Sequence, residues 1–148
     1  MTGRPAALAL LLALAAPAPV VADDIWLTDF GLIQWEATRD TIAVLNLIGP
    51  NARGPATLRL FVEGLGADAF GGRGVYWGYW TAEDGDVGCS AALTDPMGTT
   101  TPHWGRLRMV FLTEAATSGW VAVMGECWAD PDFRLSAQPL TGLPLAEP

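Results

Sequence analysis

From Phe30 onward the apolar residues fall in short runs, each closed by turn-forming residues, and none keeps the spacing of three and four that marks a helix. β-Branched and aromatic residues fill these runs, so the chain predicts strands. Phe30 to Ala37 comes first and ends at the polar turn Thr38-Arg39-Asp40. Thr41 to Ile48 follows, apolar on both parities, so both its faces should be at least partly covered. Gly49 to Pro55 is rich in Gly, Pro and Asn and reads as a loop. Ala56 to Leu65 alternates: Leu58, Leu60 and Val62 take the core side, while Thr57, Arg59, Phe61 and Glu63 fall mostly to solvent.

A glycine-rich connection then enters Val75-Tyr76-Trp77-Gly78-Tyr79-Trp80-Thr81-Ala82. Its four large rings can bury more apolar surface than any other stretch of similar length, so the core should be built around them. Gly78 in mid-strand predicts a bulge, a sharp bend or a close backbone approach. Val87 to Leu93 reads as the next strand, with Cys89 on the parity of Val87, Ala91 and Leu93. Asp95-Pro96-Met97-Gly98 is a turn sequence. In Trp104 to Thr113, Leu107, Met109 and Phe111 oppose Trp104, Arg106 and Arg108. Gly119 to Trp128 sets Val121, Val123 and Cys127 against Trp120, Met124, Glu126 and Trp128. Phe133 to Gln138 is a last short strand.

The fold class that follows is all-β: a single small antiparallel domain of seven to eight strands. Short connections favour an up-and-down barrel, which has no sheet edges to protect, and a β-sandwich is the alternative.

The N-terminus departs from this pattern. Arg4 precedes an apolar block from Ala6 to Ala16, and Val20 and Ala22 stand at the −3 and −1 positions before Asp23. That is the layout of a signal peptide, residues 1–22, cleaved after Ala22. The block is too short to span a bilayer, and Pro17 and Pro19 interrupt it. A β domain over 23–140 and a flexible tail over 141–148 complete the expected organisation, with no transmembrane segment after cleavage.

The expected mature chain has no lysine and seven arginines against sixteen acidic residues, a net charge near −9. That balance argues against nucleic acid or an anionic membrane surface as partner. Arginine without lysine, amid abundant Ala, Gly and Pro, suggests GC-rich coding and a bacterial source, hence the periplasm or secretion. Two cysteines, Cys89 and Cys127, have one possible pairing in an oxidising compartment. By parity both should face inward, tying the fifth predicted strand to the seventh.

Candidate chemistry is sparse. The one histidine, His103, has hydroxyls nearby but no recognisable nucleophile context. Glu36, Glu63 and Glu126 are the strand-borne carboxylates that a small hydrolase could use, and sequence cannot set their separation. Glu83-Asp84-Gly85-Asp86 has oxygen ligands for calcium but lacks the spacing of an EF-hand loop. Gly71, Gly72 and Gly74 precede a strand rather than a helix, so they make no phosphate cradle. No catalytic residue, metal ligand or cofactor is assigned.

The remaining concentration is aromatic and cationic: Tyr76, Trp80, Trp104, Arg106 and Arg108 are the candidate binding residues. Trp104, Arg106 and Arg108 share a face, and a concave interior lined by Trp35, Trp77 and Tyr79 would suit a small ligand. An Arg stacked on a Trp would need no ligand at all. The architecture is similar in outline to lipocalin- and avidin-like binders and to periplasmic protease inhibitors, without their sequence signatures, and outline alone carries no function. The expected function is a secreted, non-catalytic binding domain for an unknown protein or small ligand; a small hydrolase or an accessory subunit of an envelope complex is the alternative.

Overall fold

The computed structural model describes residues 24–48, 57–66, 74–86, 88–113 and 118–140. Their strands are β1 (Ile25–Thr28), β2 (Gly31–Arg39), β3 (Ile42–Ile48), β4 (Arg59–Val62) and β5 (Val75–Ala82). After these come β6 (Leu93–Thr94), β7 (Thr100–Thr101), β8 (His103–Phe111), β9 (Trp120–Met124) and β10 (Phe133–Pro139). Eight of them close an antiparallel barrel in the order β1-β10-β9-β8-β5-β4-β3-β2, while β6 and β7 form a separate two-stranded ribbon. Each barrel strand pairs with its chain neighbours, apart from the excursion between β5 and β8 and the closure of β1 on β10 through Trp26 opposite Pro139.

Period-two alternation builds the interior. Ile33, Leu45, Leu60, Tyr76, Leu107, Met109, Trp120, Ala122 and Leu135 belong to one buried cluster. β2 carries a bulge between Trp35 and Ala37, so that Trp35 still opposes Leu45 while Glu36 is extruded to face Arg59 at 3.7 Å. At Gly78 the expected close approach is present: an added Cβ would lie 1.9 Å from the Phe61 carbonyl oxygen. An apolar, packed interior is the reverse of the polar interior of transmembrane barrels.

The two ends of the barrel differ. At the end where β9 begins, Trp26 and Trp120 meet edge-on with centroids 6.2 Å apart, and Tyr76 and Phe111 do so at 6.0 Å. Leu65, in the turn that follows β4, is buried in the same cluster. That end is plugged. The opposite end, where β1 turns into β2 and β9 leads to β10, remains concave.

Several expectations are corrected. Ile25–Thr28 is a strand, and its partners on both sides explain why so short a segment is stable. Residues 88–92 are not a strand, and Val87 lies outside the described residues. In β9 the parity is reversed: Trp120, Ala122 and Met124 are buried, with Val121 and Val123 outside. Phe61 is buried on the outer side of the wall, stacked on Tyr79 at 5.0 Å, rather than turned to solvent. Cys89 and Cys127 are bonded, as expected, with an S–S distance of 2.05 Å. Both, however, lie off the barrel strands and are half-buried, so the bond ties two connections together outside the wall instead of bridging two strands within it. The expected leader, residues 1–22, and the expected tail, residues 141–148, lie outside the described residues.

Candidate functional site

The concave end holds a cavity of about 540 Å³. Its walls are Phe30, Leu58, Trp80, Met124 and Phe133, with Gly125, Glu126, Ala129 and Asp132 along one side.

Local chemistry fixes each wall. Thr28 Oγ1 accepts a hydrogen bond from the Phe30 backbone N–H at 3.2 Å and donates to the Gly31 carbonyl at 2.7 Å. The turn is thereby locked and Gly31 sits at φ 129°, where other residues would be strained. Phe30 then lines the cavity, its ring parallel to Phe133 within 3° and 5.2 Å away. Trp80 comes from the inward parity of β5, and its indole N–H donates to the Gly125 carbonyl at 3.0 Å.

The connection 125–132 forms the far wall and is strongly tethered. Gly125 N–H donates to the Arg106 carbonyl at 3.0 Å, and Cys127 N–H to the Trp104 carbonyl at 2.8 Å. The Arg106 guanidinium donates to the carbonyls of Trp128 and Ala129 and faces Asp130 at 3.4 Å. This close seating needs glycine on β8: a Cβ at Gly105 would stand 1.7 Å from the Gly125 carbonyl oxygen. Cys127 adds the covalent tie to the β5–β8 excursion. A wall held this way is rigidly preorganised.

The anticipated binding residues do not form one surface. Tyr76 is buried at the plugged end, and Trp80 lines the cavity. Trp104 faces outward as expected, but at 5% exposure it is covered: its indole N–H donates to the Ala91 carbonyl at 2.8 Å, and Trp128 meets it edge-on at 5.0 Å. Arg106 holds the 125–132 connection. Arg108 is exposed, its guanidinium 4.2 Å from the Trp77 ring centroid, the ligand-free stacking that the sequence allows. Trp77 and Tyr79 point away from the interior, so of the three residues expected to line it only Trp35 packs against the core. Trp120, at the start of β9, is fully buried.

Glu36 on the β2 bulge, Glu63 after β4 and Glu126 after β9 are exposed and on separate parts of the barrel, so the structure does not bring them together. His103 opens β8 and packs under the acidic turn: a Cβ on Gly85 would be 2.8 Å from its Nδ1. Glu83, Asp84 and Asp86 are exposed. Among the described residues no group of three or more His, Cys, Asp or Glu side chains is placed to hold a metal ion.

The cavity residues Phe30, Met124 and Phe133 were not among the candidates that the sequence offered. Their signal is positional: each stands at the boundary between a strand and a turn, at the same end of the barrel. A second hollow of about 130 Å³ lies beside the β6–β7 ribbon, among Asn46, Arg59, Thr81 and Thr101.

The chain matches no protein-family model, no curated protein and no solved structure.

Proposed function

We propose that the protein is an extracytoplasmic, non-catalytic binding domain that takes a small, largely apolar ligand into the open end of the barrel. The observation that carries this reading is the roughly 540 Å³ cavity walled by Phe30, Leu58, Trp80, Met124 and Phe133. Ligand sites are typically concave and mostly apolar, of about 300–1,000 Å³. Eight-stranded barrels have room either for side chains alone or for one small ligand besides. Here side chains fill one end and leave the other open. The disulfide is compatible with an oxidising compartment, which the expected leader would supply.

The test is titration with a neutral naphthylamine fluorophore, read by energy transfer from tryptophan. One-to-one binding is expected, and it should be lost when Ala129→Trp fills the mouth from an exposed position. Binding that Ala129→Trp leaves unchanged, or no binding at all, would overturn the assignment.

A second reading, an accessory subunit of an envelope complex, draws on the outer wall. Val75, Trp77, Val110 and Val123 are exposed on β5, β8 and β9, with Arg108 and Arg134 in the same register row as Trp77 and Val123. Apolar surface edged by guanidinium groups fits a protein partner that presents carboxylates among apolar side chains.

A further inference from the structure

We propose that the ligand of the barrel mouth is a cationic amphiphile, an ammonium or similar group carried on an apolar body. This rests on the cavity being a binding site and goes beyond it to charge. Two independent features of the cavity favour a cation. Its walls include three aromatic rings, Phe30 and Phe133 stacked in parallel and Trp80, and aromatic rings attract positive charge. Its polar contribution is acidic: Glu126 and Asp132 line the same space, and no basic side chain is among the described lining residues.

Neither carboxylate is used in an ion pair among the described residues. The neighbouring Asp130 differs, since it faces Arg106, whose guanidinium is committed to the Trp128 and Ala129 carbonyls. The connection between β9 and β10 thus partners its one charge beside a cation and leaves two facing the hollow. An anionic amphiphile would meet like charge at the rim and in the field of the whole acidic chain, whereas a cation is favoured by both. The rings and Leu58 would take the apolar body; Glu126 and Asp132 would take the charge.

The experiment is calorimetric titration with three probes that share one tail: octyltrimethylammonium, octyl glucoside and octyl sulfate, each below its micelle concentration. The ammonium probe is expected to bind about tenfold more tightly than the neutral one, with an advantage that shrinks as salt rises. The anionic probe should bind most weakly. In the double variant Glu126→Gln, Asp132→Asn the ammonium and neutral probes should converge while the melting temperature holds, since both residues are exposed. Equal affinities of the ammonium and neutral probes for the wild type would overturn the charge assignment and leave the cavity reading standing. An ammonium advantage that survives the double variant would also overturn it. Failure of all three probes to bind would remove both.

Discussion

Tyr79 shows what the outer face of the barrel wall does to a single side chain. Its ring stacks on Phe61 and its phenol is pushed up to about 12, first by burial, then by the negative charges of Asp95 and Glu63. Asp95 is itself buried, with one carboxylate oxygen accepting hydrogen bonds from the Met97 and Thr99 N–H groups at 2.9 Å. Because the folded state holds the phenol proton more tightly, its contribution to stability is complete below pH 10 and is lost as pH rises from about 10 to about 12. In that window the urea midpoint of the wild type should fall more steeply than that of Tyr79→Phe. In Asp95→Asn the Tyr79 tyrosinate absorbance should appear at lower pH, yet still above the ordinary value, since burial is the larger cause. Gly78 makes the other prediction at this scale. With a backbone oxygen 1.9 Å from where a methyl would stand, Gly78→Ala should cost about 3 kcal/mol or more in chemical denaturation, far beyond an ordinary glycine replacement.

Among the elements, the excursion between β5 and β8 is one that alternation could not foresee. Hydrophobic parity assigns Cys89 to a strand because Val87, Ala91 and Leu93 repeat with it, but parity has meaning only where a strand exists. The segment is instead pinned by single contacts: Cys89 N–H to the Pro102 carbonyl at 2.8 Å, Thr101 Oγ1 to the Ala82 carbonyl at 2.7 Å, and the Trp104 indole to Ala91. Such isolated tethers leave no periodic trace in a sequence. β8 was legible because Leu107, Met109 and Phe111 alternate with charged or exposed neighbours, whereas β9 misled because valines stand outside and Trp120 inside. The disulfide closes a loop of 38 residues, for which chain entropy gives about 4 kcal/mol. Replacing both cysteines with Ala should therefore lower stability by about 2–5 kcal/mol. Amide exchange should report where: protection of the Cys89 and Asp95 N–H groups should drop well before that of β2 and β3. Uniform loss of protection across the barrel would show that the excursion is part of the barrel's cooperative unit.

At the scale of the whole molecule, the barrel was legible from short runs and tight turns, and the expected seven to eight strands include the eight observed only through two offsetting errors. The extra strand at Val87 to Leu93 replaced the missing Ile25–Thr28, whose four residues are too few to show a period and matter because they close the ring. The site was less legible, because a cavity at one end depends on which strand ends meet in space, and Phe30 and Phe133 lie 103 positions apart. The closed wall also gives tryptophans opposite roles according to side. Trp120 is fully buried beside Trp26, so Trp120→Ala should cost about 3–5 kcal/mol and shift the melt seen by every probe. Trp77 is 56% exposed and held by the Arg108 guanidinium alone among the described ring contacts, so Trp77→Ala should change stability by no more than about 1 kcal/mol. If the outer wall docks an envelope partner, the cost of Trp77→Ala appears in association: recovery of an acidic partner from envelope extract should fall with Trp77→Ala and not with Ala129→Trp, which blocks only the mouth. Undiminished recovery with Trp77→Ala, beside a melting temperature equal to the wild type, would assign the wall no part in docking and leave the mouth as the functional end.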